Sequence, residues 1–252
     1  MRIGLKTLSA MEYPGRIITV GRDKSGENSI VIYAITGRSP SSQARKLELE
    51  ADTVWTKPIN EETLKRGNWE LLVYPAIWIS HGIAVSNGKQ TSDIRKCLAQ
   101  NKRPVDVLKL ALKDWDYEPD PPLFTPRISG CILHTGKAAL SIIKRAQDGS
   151  SLRFFFEMPM IPGKGKMIAT YNGENKEPLI SFSGEPLDLE LKEKNAKSMA
   201  EAVYEALRPR RKEKDYRVAV ACVFSKNLAL NEYDIHIINR QERMKTEHGK
   251  IG

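Results

Sequence analysis

Arg38 and Arg45 bracket Ser39, Ser41, Ser42 and Gln43 just beyond the apolar run Ser29 to Thr36. A guanidinium offers paired N–H donors to two oxygens at once, so two of them beside small hydroxyls suit a phosphate or a carboxylate. Gly37 and Pro40 end the strand at this point, and loops at strand ends are common ligand sites. The alternative is a solvated connection carrying surface arginines, the usual state of that residue. A second candidate is Ser86-Asn87-Gly88-Lys89-Gln90-Thr91. Asn-Gly is first of all a turn signal. Here it precedes a helical pattern with Thr91 and Ser92 as candidate N-caps, so backbone N–H groups could receive an anion.

The third candidate is Asp114-Trp115-Asp116-Tyr117-Glu118, followed by Thr125-Pro126-Arg127. Clustered acids usually mark a solvated helix end. A carboxylate held among Trp115, Tyr117 and prolines would instead lose solvent, and its pKa would rise toward the range of acid–base catalysis. Arg127 is a ready partner for one of these acids. Tyr74, ahead of Pro75, is either a core aromatic or a phenol presented to a site.

His81, His134, His236 and His248 show no metal-ligand spacing with one another or with Cys97, Cys131 and Cys222, so no metal is expected. The cysteines read as buried thiols, not a disulfide framework. Gly163-Lys164-Gly165-Lys166 is a fragment of a phosphate loop without its full spacing and reads as a flexible turn. Lys192 to Lys197 and Arg208 to Lys214 are basic runs without interleaved aromatics, which makes them solvated surface in the first instance and RNA contacts in the second.

Short strands must position these groups. Arg16 to Val20 and Ser29 to Thr36 form a hairpin around Asp23-Lys24-Ser25-Gly26. Thr53 to Thr56, Leu71 to Tyr74, Ala76 to Ile79 and Ile83 to Val85 continue the series, with His81-Gly82 as a tight connection. Two helices follow, one burying Ile94, Cys97 and Leu98, the other starting near Pro104 and burying Leu108, Ala111, Leu112 and Trp115. Ile128 to Leu133, Leu152 to Phe156, Met167 to Tyr171 and Leu179 to Ser183 read as strands, and Lys194 to Leu207 as an amphipathic helix. Val218 to Phe224 and Ile235 to Asn239 are terminal strands, and the polar tail from Gln241 is expected to fray. Strands in runs argue an α+β fold with mostly antiparallel sheets. One domain over residues 1–240 with a tail at 241–252 is expected.

The chain has 252 residues, 40% of them hydrophobic and 28% charged, which suits a globular protein with a full core. A formal charge of +9 points to acidic partners such as a nucleotide, RNA or anionic lipid. The N-terminus shows no secretory segment and no apolar run has membrane-spanning length, so a soluble, cytoplasmic protein is expected.

Taken in order, several segments resemble the archaeal-type IMP cyclohydrolase family. They are Tyr13-Pro14-Gly15-Arg16 with Val20-Gly21-Arg22, the strand Tyr33 to Arg38 ending in Arg-Ser, Val85-Ser86-Asn87-Gly88 with Thr91, and Asp116-Tyr117-Glu118 with Thr125-Pro126-Arg127-Ile128. The resemblance implies a four-layer αββα sandwich similar to N-terminal nucleophile hydrolases, without their nucleophile. It also implies the last step of purine synthesis, closure of 5-formamidoimidazole-4-carboxamide ribonucleotide to IMP with no cofactor. Carried over residue by residue, it gives catalytic roles to Glu118, to Tyr74 and to Arg45 or Arg38, two extra residues separating those arginines here. Ser39, Ser86, Asn87, Gly88, Thr91 and Arg127 are the substrate-binding candidates that accompany them. The partner is then a small ribonucleotide, with no membrane and no nucleic acid, and a homo-oligomer is compatible. Two other classes stay open: an amide hydrolase of the same fold, which would need a nucleophile at its mature N-terminus where Arg2 follows Met1, and a basic RNA-binding module without turnover.

Overall fold

Along the strand Arg127–Leu133, Ile128 and Ile132 enter one apolar cluster while Cys131 and Leu133 enter another. A strand buried on both faces needs a layer of structure on each side. Both layers are present in the computed structural model, which describes residues 5–60, 62, 69–209, 214–228 and 232–248.

The first half runs α1 (Lys6–Ser9), β1 (Arg16–Arg22), β2 (Ser29–Thr36), α2 (Pro40–Gln43), β3 (Arg45–Glu50) and β4 (Thr53–Pro58). It continues through α3 (Trp69–Leu72), β5 (Tyr74–Ile79), β6 (Gly82–Ser86), α4 (Thr91–Leu98), α5 (Pro104–Ala111) and β7 (Arg127–Leu133). The second half is β8 (Ala138–Arg145), β9 (Ser151–Met158), β10 (Lys164–Ala169), β11 (Leu187–Glu190), α6 (Ala196–Ala206), β12 (Arg217–Asn227), β13 (Glu232–Asn239) and α7 (Arg240–His248).

A six-stranded sheet has the order β11-β10-β1-β2-β12-β13, and a seven-stranded sheet runs β3 to β9 in sequence order. The pairings within both are antiparallel. Helix α6 packs on β12 and β13, while α4 and α5 cover the far face of the seven-stranded sheet. The order helix, sheet, sheet, helix is an α+β sandwich, as the runs of strands implied. Ile83 and Val85 of β6 face the other sheet while Ala84 faces the helices, the period-two division expected of such a layer.

Several local expectations are corrected. Leu71 to Tyr74 is not a strand: Trp69–Leu72 is a helical turn, and β5 starts at Tyr74, where Thr56 Oγ1 accepts the Tyr74 N–H at 2.9 Å. Leu179 to Ser183 contributes only an isolated bridge, Ser181 to Tyr171. Gly163 to Lys166 is not a flexible turn: Lys164 opens β10, Gly165 pairs with Gly21 of β1, and a Cβ there would lie 2.9 Å from Leu191. Helix α4 has Gln90 at its N-cap with no side-chain cap bond, so neither Thr91 nor Ser92 fills that role. The polar tail forms α7, held by Arg243 Nη1 on Glu201 at 2.6 Å and Arg240 Nη1 on the Asp215 carbonyl at 2.8 Å. Of the basic run Arg208 to Lys214, residues 210–213 lie outside the described residues, as does the His248 side chain.

The two edges of the seven-stranded sheet differ. At β3 the Asn239 amide accepts the Leu47 N–H at 2.8 Å and donates to the Leu47 carbonyl at 2.9 Å, imitating a neighbouring strand. At β9 the ladder ends after the pairing with β8.

Candidate active site

Glu118 is 2% exposed, and its position follows from a small closed loop. Its N–H donates to the Thr125 carbonyl at 2.9 Å, and Asp120 accepts both the Thr125 N–H at 2.7 Å and the Thr125 hydroxyl at 2.5 Å. The carboxylate is then engaged from two directions on one oxygen. Arg16 Nη2 donates to Oε1 at 2.5 Å and Asn87 Nδ2 donates to it at 2.9 Å. Among the described residues Oε2 meets no donor, which leaves one oxygen able to exchange a proton while the other is fixed.

Asn87 is itself immobilised. Its Nδ2 also donates to the Pro126 carbonyl at 2.9 Å, and its Oδ1 accepts the Ile128 N–H at 2.8 Å and Gln90 Nε2 at 3.2 Å. Arg127 Nη1 donates to Gln90 Oε1 at 3.1 Å, its Nε donates to the Asp116 carbonyl at 2.8 Å, and its guanidinium lies 4.8 Å from the Trp115 ring centroid. A Cβ at Gly88 would sit 2.4 Å from Gln90 Oε1 and 2.6 Å from Arg127 Nη1, so those two bonded side-chain ends would have to move apart to admit it. The Ser86 and Thr91 hydroxyls lie 2.5 Å apart and both lie within reach of the Gly88 carbonyl, so one donates to its neighbour and the other to the carbonyl. These two hydroxyls therefore build the turn that holds Asn87 against Glu118.

The Tyr74 hydroxyl lies 2.7 Å from that of Tyr33 on the facing sheet, and both rings are buried. Arg45 is 1% exposed, with Nε donating to the Ser42 carbonyl at 3.0 Å. Arg45 Nη1 and Arg16 Nε are buried and meet no acceptor among the described residues. Unpaired buried donors cost free energy, and a polar ligand is one physical reason to keep them. Arg38 is placed elsewhere. It lies 5.0 Å from the Tyr13 ring centroid, donates to Asn175 Oδ1 at 3.2 Å and pairs with Glu177 at 2.7 Å. Tyr13 stacks on Tyr171, whose hydroxyl is 2.9 Å from Thr125 Oγ1. Ser39 is exposed and caps α2 through a reciprocal bond with Ser42.

Electrostatics link these groups. Burial pushes the Glu118 carboxyl above its ordinary value, and the cations Arg16 and Arg127 restrain the rise. Burial also works against the charge of Arg16, but Glu118 and then the phenols of Tyr74, Tyr171 and Tyr33 hold its pKa well above the ordinary guanidinium value. Arg16 is therefore a fixed cation. Burial, reinforced by Tyr74, carries the Tyr33 phenol well up, with Arg16 and Arg45 opposing. The Tyr171 phenol is pushed up to about 12, again chiefly by burial. The Tyr33 and Tyr171 phenols thus stay protonated at neutral pH.

Of the residues read from sequence, Glu118, Asn87 and Arg127 come together, Tyr74 is coupled to Arg16, and Arg45 joins the same field through Tyr33. Arg38 lies among the aromatics beyond Tyr171, and Ser39 lies on the surface. The expected Arg127 ion pair with the acidic segment is replaced by a bond to the Asp116 carbonyl. Arg16, Tyr33 and Tyr171 were not among the site candidates. Their signal was a charged or phenolic side chain at an inward position of an apolar strand or at its end. Among the described residues no group of His, Cys, Asp and Glu side chains is arranged to hold a metal, and no helix is long and apolar enough to cross a membrane.

The profile of a family described as "IMP cyclohydrolase-like protein" matches residues 13–228. A curated relative named IMP cyclohydrolase, from Methanothrix thermoacetophila, is 31% identical over 173 residues, covering 68% of this chain and 80% of the relative.

Proposed function

The chain belongs to the IMP cyclohydrolase-like family, and from that premise we propose that it closes 5-formamidoimidazole-4-carboxamide ribonucleotide to IMP, the last step of purine synthesis, as a cytoplasmic enzyme. The observation that carries this reading is Glu118, buried and pinned through Oε1 by Arg16 and Asn87, with Oε2 free of donors among the described residues.

The chemistry asks for such a group. The carboxamide nitrogen attacks the formyl carbon, although its lone pair is delocalised and weakly nucleophilic. One proton leaves that nitrogen, a second leaves the formamido nitrogen, and both depart with the former formyl oxygen as water. Glu118 Oε2 takes the proton from nitrogen and returns it to oxygen, a role favoured by a carboxyl whose pKa is raised toward working pH. Tyr74, oriented by Tyr33, and Arg45, through its unpaired Nη1, donate to the developing negative charge on the formyl oxygen. Arg16 fixes the plane of Glu118 and contributes positive charge. The reaction is intramolecular, so binding accelerates it further by holding the formyl and carboxamide groups in the folded conformer. Arg127 and the Ser86 to Thr91 turn shape the wall against the base. We assign the phosphate to Arg38 and Ser39, a charged and a hydroxyl group outside the Glu118 cluster.

Purified protein incubated with the formamido ribonucleotide should form IMP, followed by its ultraviolet absorbance. A rate no faster than spontaneous closure would refute the assignment.

A further inference from the structure

Strand β9 ends the seven-stranded sheet with an open edge and an uncovered apolar face. Its register against β8 sets Phe154 beside Ile142 and Phe156 beside Leu140, so its even-numbered side chains lie on the face of the inter-sheet core. Yet Leu152 is 43% and Phe154 40% exposed there. On the opposite face stand Ser151, Arg153, Phe155 and Glu157. Free sheet edges pair with other strands unless they are blocked.

We propose that β9 is the pairing edge of a homodimer, in which the β9 of a second copy runs antiparallel to it about a two-fold axis through Phe155. Geometry limits the choice of register. In an antiparallel ladder, residues directly opposite point their N–H and C=O groups the same way relative to the shared edge. A strand pairing with its own copy must therefore oppose residues of equal parity, and the axis passes through a residue. An axis at Phe155 sets Arg153 opposite Glu157 of the partner subunit, and this pair occurs twice by symmetry. The same register sets the exposed Leu152 and Phe154 beside Met158 and Phe156 of the partner subunit, which lie in or against the inter-sheet core. An axis at Phe154 would set Arg153 against Phe155 and Glu157 against Ser151, losing both charge pairs. Charge complementarity thus selects the occupant and the register. Glu157 is exposed and makes no ion pair within 4 Å among the described residues, its charge acting on the Arg103 guanidinium. Arg153 already holds the Leu112 carbonyl at 2.8 Å and Asp116 at 3.1 Å, which keeps its side chain ordered before association.

Sedimentation velocity of the full chain should show a dimer. Glu157→Arg places like charges opposite one another twice and should weaken the dimer by about tenfold, with circular dichroism and catalytic turnover per chain unchanged. The swap Arg153→Glu with Glu157→Arg should recover association. Under mild oxidation Phe155→Cys, which faces its own copy, should form a covalent dimer faster than Phe154→Cys; the three native cysteines are buried. A monomeric wild type, a Glu157→Arg chain that sediments as wild type does, or cross-linking at 155 no faster than at 154 would each overturn the proposal.

Discussion

Arg16 and Glu118, 102 residues apart in the chain, meet at 2.5 Å because β1 of one sheet packs across β7 of the other. The pair joins the two layers of the sandwich at the point where the proton-carrying carboxylate sits.

Replacing Glu118 by Gln removes proton transfer and keeps the shape. Turnover should fall by about a hundredfold to ten-thousandfold with little change in KM. An activity near wild type in a single-turnover assay would assign the proton to another group.

The acid limb of kcat/KM follows from the raised carboxyl. Glu118 must be ionised to accept the nitrogen proton, so activity should fall with decreasing pH at a point above the ordinary carboxylate range. Its contribution to stability has the opposite sign to that of an ordinary buried ion pair. The folded state holds this proton more tightly than the unfolded one. Stability from this group therefore grows as pH falls through the folded pKa and is lost as pH rises through it. Urea unfolding across this range, with Glu118→Gln as reference, measures the slope.

Arg16→Gln should move the acid limb to higher pH, because the cation that restrains Glu118 is gone while burial remains. The same change leaves a buried carboxylate without its partner and should cost about 3 kcal/mol of stability. Arg16→Lys should recover part of the pH profile, an outcome that loss of packing alone would not produce.

Tyr33→Phe strips the Tyr74 hydroxyl of its 2.7 Å partner. We expect a loss of about 1–3 kcal/mol in thermal or urea unfolding for the unpaired buried hydroxyl. Turnover should fall less than in Tyr74→Phe, where the donor to the oxyanion itself is missing.

Gly88→Ala drives a Cβ into Gln90 Oε1 and Arg127 Nη1. The bond between those two side chains should break, costing about 1–3 kcal/mol, and KM should rise as the Asn87 turn shifts. A crystal structure or unfolding curve identical to wild type would count against the turn as the positioning device.

Glu118 is legible in the sequence because acids, aromatics and prolines crowd together in one segment, and local crowding predicts burial. Arg16 and Tyr171 are not, because only the pairing of β1 with β10 and the stacking of the two sheets bring them near residue 118. Leu71 to Tyr74 looked strand-like since Leu and Val suit either state, and the Thr56 hydroxyl that fixes where β5 begins comes from a different strand. Strand β3 is hard to read from the sequence because its alternation, Leu47 and Leu49 against Lys46, Glu48 and Glu50, is short and heavily charged.

With Asn239 seated on the Leu47 peptide, the β3 edge has no free donor and acceptor at its centre to offer another chain. Extension of the seven-stranded sheet can then proceed from one side alone. Two copies joined at β9 would carry an Asn239-covered β3 at both ends of the joined sheet, which favours a closed pair over continued growth of that sheet. A single asparagine amide near the C-terminus thereby sets a stopping rule for assembly at the opposite end of the sheet.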